Sequence, residues 1–339
     1  MFVAASALAM LAAVGVADAA GLDRVARVTS GLEPTWLLAC LAGELVGYVG
    51  YVLALRNVAR LDGGPRLPFK LAARTVVAGF GVHGSAHAAG GFAVDYWALR
   101  RFGLGRDQAI ARVAGLGLLE YAVLAPAALA AALALLAGSD EHVQLSMTVP
   151  WLLVVPGFAV ALWVSVPRRW RRLSAFARRG RGRPREALAH AVAGLGTLRS
   201  LCLRPLHHAP ALFGVAFFWL GDITCLWAAL KTYSVEVSAP ALVLAYATGY
   251  VASRRSLPAG GAGVVEVLMT FALVWVGVPL APALVGVLVY RLFNFWLPIV
   301  PALAALPTVR DFRLGLHERQ APPVRRPPSP APRPSSTAD

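Results

Sequence analysis

The sequence predicts an all-α polytopic membrane protein of about eight transmembrane helices with glycine-rich re-entrant segments, in an order compatible with an inverted repeat. Three observations predict it. Of 339 residues, 58% are hydrophobic and only 14% charged, a balance outside the range of soluble domains. The apolar residues are gathered into runs near the roughly 20 needed to cross a hydrocarbon core about 30 Å thick. The arginines fall in the gaps between those runs.

A net charge of +15 would suit a nucleic-acid binder if it formed one patch. Here it is distributed over Arg56 to Arg74, Arg100 to Arg112, Arg168 to Arg204 and the segment from Arg310 onward. That is the positive-inside pattern, with attraction to anionic lipid on the cytoplasmic face, and it excludes nucleic acid as the expected partner.

In chain order, Phe2 to Ala17 is apolar with small residues but lacks a basic leading segment, so it reads as a first span rather than a cleaved signal. Trp36 to Leu55 is the second span. Arg74 to Leu99 contains the glycine-rich stretch GFGVHGSAHAAGGFAVDYW and is basic on both flanks, so the chain returns to the side it came from. A re-entrant pair of short helices satisfies that, and irregular backbone at membrane depth must line protein or a water-filled interior. Val113 to Ala137 and Val149 to Val166 are spans on either side of the acidic turn Ser139-Asp140-Glu141-His142, which should face outward. Arg168 to Arg185 holds nine arginines and should face the cytoplasm. Glu186 to Arg204 is either a helix lying in the interface or an extension of the next span.

Leu212 to Leu230 and Ala241 to Ala252 follow as spans. The segment from Ser256 to Pro282 opens on a proline and a glycine cluster and reads as a second re-entrant element around Val264 to Val276. Ala283 to Leu306 is the last span, and both termini then fall on the cytoplasmic side. The chain divides into a transmembrane domain over 1–308, with 167–208 as a basic cytoplasmic loop and interfacial helix, and a proline- and arginine-rich tail over 309–339 expected to be disordered.

The two irregular segments resemble one another. Gly90-Gly91 precedes Asp95, Gly103 and Ala109, while Gly260-Gly261 precedes Glu266, Gly277 and Ala283; the final glycine-to-alanine spacing is identical in both, the acid-to-glycine spacing is not. Paired interrupted segments in two halves point to a transporter's central site.

Ionisable groups within a span cost about 2.5 to 3.5 kcal/mol on insertion scales, so each needs a reason. Glu44, Asp95, Glu120, Asp222, Glu266 and Arg291 are the candidates. Arg291 lies well inside VGVLVYRLFNFWLPIV, and its planar fork of donors suits phosphate, with Glu266 orienting the fork or receiving a cationic group. The alternative is a structural ion pair between two helices. Asp222, among the aromatics of FFWLGDITCLW, either attracts an amine or holds a helix-to-helix hydrogen bond. Glu44 and Glu120 each neighbour a tyrosine, Tyr48 and Tyr121, which could satisfy them. His83 and His87 are four apart, but no third ligand accompanies them and no metal site is expected. Cys40, Cys202 and Cys225 have no disulfide or ligand spacing. There is no nucleophile elbow, phosphate loop or dinucleotide fingerprint, and no cofactor is implied.

The string Leu257 to Glu266, then Gly277-Val278-Pro279, Ala283, Tyr290-Arg291-Leu292 and Phe295-Trp296-Leu297-Pro298, resembles the C-terminal signature of the lysylphosphatidylglycerol synthase transmembrane-domain family. The order of segments is similar from Phe2 to Leu306. The first glycine motif, Ala88-Ala89-Gly90-Gly91 with Asp95, departs from the family's usual Pro-Gly-Gly-Gly-Glu. The resemblance implies a bundle with two re-entrant segments around a lipid-accessible cavity, Glu266 and Arg291 near its centre.

It implies a flippase-like transporter for a phospholipid or lipid-linked head group, such as aminoacyl-phosphatidylglycerol, in the cell membrane. Gly260, Gly261, Gly263, Asp95, Glu120, Asp222, Glu266 and Arg291 are the expected substrate-contacting residues. The other expectation is an accessory subunit presenting a lipid-linked sugar to a separate glycosyltransferase partner. A stand-alone enzyme is not expected, because the intramembrane acids have no nucleophile or metal beside them.

Overall fold

In the computed structural model, the described residues are 2–85, 90–138, 145–178, 183–251, 262–302 and 304. The acidic turn, the arginines at 179 and 181, the glycines Gly260 and Gly261, His87, and the tail beyond 304 lie outside them. Among the described residues every regular element is helical, and four apolar helices are long enough to span a membrane: Thr35–Ala59, Arg106–Ala137, Ala209–Lys231 and Leu280–Ala302. Shorter apolar helices supplement them at Met10–Ala20, Leu145–Ala161 and Val264–Trp275. The chain is an all-α multi-pass membrane protein.

Helix α1 (Phe2–Ala20) turns at Gly21, whose φ of 87° is in the left-handed region, into the short α2 (Leu22–Ser30). Helix α3 (Thr35–Ala59) then runs the length of the bundle against α11 (Ala209–Lys231). Lipid tails are as apolar as leucine, so burial alone does not drive helices together in a membrane and close backbone approach has to. Glycines provide that approach. Gly43 faces Gly221 and Gly50 faces Gly214, so the two helices run antiparallel. A methyl group on Gly43 or on Gly214 would lie 2.6 Å from the partner's carbonyl oxygen.

Between and after these helices come two hairpins. The first is α4 (Phe69–Ser85) with α5 (Gly90–Arg101), and the second is α12 (Ala239–Val251) with α13 (Val264–Trp275). A 12-residue arm such as α5 is about 18 Å long and cannot cross the hydrocarbon core. The segment Ala241 to Ala252, read as a span, is therefore one arm of the second hairpin, and Val264 to Val276 is the other.

The hairpins open at opposite ends of the bundle. Helix α6 (Arg106–Ala137), which follows the first hairpin, starts beside the end of α3: the Arg112 guanidinium donates to the Ala59 and Leu61 carbonyls. The second hairpin opens where α3 begins. There the Glu33 N–H donates to the Thr232 carbonyl at 2.9 Å, the Ser234 hydroxyl donates to the Glu33 carboxylate at 3.0 Å, and Gly277 to Pro279 share a hollow with Tyr233 to Glu236.

Each hairpin leaves by the same turn. Gly103 (φ 94°) donates its N–H to the Arg100 carbonyl and Leu104 donates to Leu99; Gly277 (φ 97°) donates to Val274 and Val278 donates to Leu273. This is a Schellman-type helix end, for which glycine is the natural residue. One constant sequence interval relates these residues, the starts of α5 and α13, and the starts of α6 and α14 (Leu280–Arg291). The halves are thus one helix–hairpin–helix unit in two opposite orientations, and the equal Gly103-to-Ala109 and Gly277-to-Ala283 spacings reflect it. The same interval corrects the rest of the sequence alignment: Glu266 corresponds to Phe92 and not to Asp95, and Gly90-Gly91 corresponds to Val264-Val265 and not to Gly260-Gly261.

The central connection runs through α7 (Leu145–Thr148), a 3₁₀ segment and α8 (Val154–Ser165) into α9 (Pro167–Arg178) and α10 (Arg183–Leu203). Helix α10 is separate from α11, which starts at Ala209. It lies along α6, with Gly194 against Ala114 and Thr197 against Gly115, and α9 lays Trp170 on Gly196.

Candidate functional site

Helix α14 continues as a π-helical turn over Leu292–Trp296, in which the Leu297 N–H reaches five residues back to the Leu292 carbonyl at 2.8 Å. Pro298 explains the widening. It has no N–H to offer the carbonyl of Asn294 four residues earlier, and its ring would clash with that carbonyl in a regular helix. Such π turns are frequent at functional positions. Tyr290, Arg291 and Asn294 fall around this turn, and all three enter a buried polar network.

Arg291 and Glu266 form one part of it. The Arg291 Nε donates to Glu266 Oε1 at 2.8 Å, with side-chain exposures of 5% and 2%, so the pair is shielded from bulk solvent. The guanidinium carbon also lies 4.2 Å over the Phe295 ring. The other carboxylate oxygen, Glu266 Oε2, accepts the Gly263 N–H at 2.7 Å. Gly263 is the N-cap of α13 with a φ of 85°, and Glu266 is the third residue of the helix, so this is the reach-back half of a capping box. One carboxylate therefore fixes the start of the second hairpin's outgoing arm and ties it to α14.

Asp222 of α11 anchors the other part. Its Oδ1 accepts the Tyr290 hydroxyl at 3.0 Å and the Asn294 amide at 2.6 Å, and its Oδ2 accepts the Tyr246 hydroxyl. The Asn294 Nδ2 also donates to Glu44 Oε1 of α3 at 3.3 Å. Asp222 thus has three donors from α12, α14 and the π turn, and one amide joins two carboxylates on the glycine-packed helices α3 and α11.

Asp95 of α5 meets α3. Its carboxylate accepts the Tyr51 hydroxyl at 3.2 Å, and Tyr51 stacks edge-on with Phe80 and Phe218. Phe218 is one turn from Asp222 along α11, so these rings run from the first hairpin's acid to the helix that carries Asp222. Glu120 is buried in α6, and its backbone carbonyl accepts the Trp219 indole N–H at 2.8 Å. Trp219 in turn packs on Tyr246 and Tyr250.

The structure thus joins Asp222, Glu266 and Arg291 through adjacent residues of α14, while Asp95 meets Tyr51 and the Glu120 backbone meets Trp219. Gly263 belongs to the network as the cap, whereas Gly260 and Gly261 lie outside the described residues. Tyr246, Tyr290 and Asn294 are members the sequence reading missed, and Glu44 one it left aside. Among the described residues no group of three potential ligands gathers around a metal position.

The model of the family described as "Lysylphosphatidylglycerol synthase TM region" matches residues 2–302. No curated protein matches the chain.

Proposed function

The chain belongs to the lysylphosphatidylglycerol synthase TM-region family, and from that premise we propose that it is a flippase-like transporter, moving the head group of a phospholipid or lipid-linked molecule between leaflets. The observation that carries this reading is the Glu266–Arg291 pair, set where a half-depth hairpin meets the π turn of a spanning helix. A structural pair alone would be served as well by apolar residues, since desolvating two charges offsets most of their attraction. A guanidinium held by a carboxylate is, in contrast, ready to exchange that partner for a phosphate of the same charge and similar geometry.

In this reading Arg291 receives the phosphate, and Glu266 releases it and stays capped by Gly263. Asp222 and Glu44, joined by the Asn294 amide of the same π turn, add two carboxylates suited to an amine, as in aminoacyl-phosphatidylglycerol. The opposite-facing hairpins supply the two gates, each closing one end of the path. The arginine-bearing end is cytoplasmic by the positive-inside rule, with both termini on that side of the cell membrane. Lipid translocation requires no bond to be made or broken, so the protein acts as a transporter without an enzymatic step.

The test is reconstitution into liposomes carrying fluorescent phosphatidylglycerol or lysyl-phosphatidylglycerol, followed by dithionite quenching. Wild type should expose the inner-leaflet pool, and folded Glu266→Gln and Arg291→Met should not. Wild-type traces that coincide with empty liposomes for both lipids would overturn the reading.

A further inference from the structure

Outside the central network, a cavity of about 610 Å³ opens between α5, α6 and α10. Its floor is a stripe of α6 that runs from Ile110 through Val113, Ala114, Gly117 and Leu118 to Tyr121, on one face of the helix. From Ile110 to Tyr121 the stripe runs about 16 Å along a membrane-spanning helix. Phe92 and Tyr96 of α5 form one wall, and His190 with Ala191 of α10 forms the other. The surface is overwhelmingly apolar. Where Leu133 and Leu136 expose convex side chains farther along α6, small residues here leave a furrow.

The furrow has a charged mouth. Arg106 continues the α6 stripe one turn before Ile110, and Arg100 continues the α5 wall one turn after Tyr96. The Arg100 Nη1 donates to the Leu104 carbonyl at 2.7 Å, while its buried Nε has no hydrogen-bond partner. With Arg101, three arginines crowd the α5–α6 connection, against Asp107 as its one acid.

We infer that this furrow is a binding site for an anionic phospholipid, with one acyl chain along the α6 stripe and the phosphate among Arg100, Arg101 and Arg106. The occupant must be apolar over about 16 Å and anionic at one end, and a phospholipid of net negative charge has that form. Because the furrow competes with bilayer hydrocarbon for the chain, apolar burial adds little and the arginines set the preference. The site goes beyond the translocation reading and stands or falls separately from it. It bears on the first hairpin, since Phe92 and Tyr96 flank Asp95 on the same helix.

The experiment places the full chain in phosphatidylcholine nanodiscs with a trace of phosphatidylglycerol carrying a diazirine in mid-chain, and maps the photoadducts by peptide mass spectrometry. Adducts should concentrate on Phe92 to Tyr96 and Ile110 to Tyr121 and be sparse around Leu133 and Leu136. Ala191→Trp and, independently, Leu118→Trp fill the furrow and should abolish them. Arg106→Gln should lower the yield about five-fold for phosphatidylglycerol and leave a phosphatidylcholine probe unchanged, the effect of one arginine at an anionic head group.

Adducts as dense at Leu133 as at Ile110, or unaffected in both folded filling variants, would overturn the proposal. So would equal yields from the two lipids, or interchain adducts in place of lipid adducts, which would mean that a second copy of the chain occupies the furrow. Labelling retained by Arg291→Met when translocation is lost, or absent when translocation persists, shows which of the two readings has failed.

Discussion

Removing one partner of the Glu266–Arg291 pair should be far more harmful than removing both. At 2.8 Å and an effective dielectric of about 20, the attraction is about 6 kcal/mol, most of it offset by the desolvation of both groups. Glu266→Gln keeps a side-chain oxygen for the Gly263 N–H but leaves Arg291 buried without its counter-charge, a change that typically costs about 3 to 5 kcal/mol. Arg291→Met leaves the carboxylate uncompensated apart from the cap. At about 2 to 4 °C per kcal/mol, each single variant should lose about 6 to 20 °C in apparent melting temperature. Glu266→Gln combined with Arg291→Met has no stranded charge and should return to within a few degrees of wild type. The assay is thermal melting monitored by fluorescence-detected size exclusion in one detergent, with wild type, both single variants and the double variant. A double variant that melts at the sum of the two single losses, with coupling below about 0.5 kcal/mol, would refute the argument that the two groups act as one buried pair.

Three further outcomes are expected. Gly50→Ala and Gly214→Ala force a methyl group against backbone and should cost about 1 to 3 kcal/mol or more, whereas Gly47→Ala, whose methyl would sit 3.4 Å from the Phe218 carbonyl, should be milder; ranking their monodisperse yields checks the order. Tyr290→Phe and Tyr246→Phe each take one donor from Asp222 and should each destabilise by about 1.5 to 3 kcal/mol, read as melting shifts that Phe293→Tyr, as a control, does not share. His208 stands at the N-cap position of α11 and its ring faces Asn57 at 3.4 Å; burial, then the His207 and Arg204 charges, hold its pKa below the ordinary 6.5, with Asp62 opposing. A depressed histidine favours the folded state above the unfolded pKa and loses that contribution as pH falls through it, so melting temperature should drop below about pH 6.5 and His208→Gln should flatten the drop.

The membrane class, the half-depth segments and the charged members of the network are legible in the sequence for one physical reason. A charge or a glycine cluster inside an apolar run is expensive and therefore conspicuous, which is how Asp222, Glu266 and Arg291 stand out. Neutral partners carry no such signal. Tyr246 and Tyr290 look like ordinary aromatic residues of a span, and Asn294 reveals itself only by lying one turn after Arg291 and four residues before Pro298. The repeat was visible at Gly103 and Gly277 because a left-handed helix end admits few residues. It was blurred at the acids because the two hairpins carry them at different depths. The packing of α10 on α6 depends on Gly115 and Gly194, and glycines are too common in this chain to single out a contact.

The upside-down relation of the two halves bears on how the chain enters the membrane during synthesis. A unit of helix, hairpin and helix carries no intrinsic up or down, and each copy must take its orientation from its flanking charge. In the first copy the arginines stand at the base of the hairpin, around Arg56 to Arg74 and Arg100 to Arg106; in the second they precede the opening helix, at Arg199 and Arg204, and recur in the sequence between the hairpin's arms, at Arg254 and Arg255, while its base holds Lys231 with Glu236. By the positive-inside rule, flanking charge of this kind is what would tell two equivalent shapes apart during insertion. Exchanging those residues between the copies should move the orientation signal while leaving the glycine contacts between α3 and α11 in place.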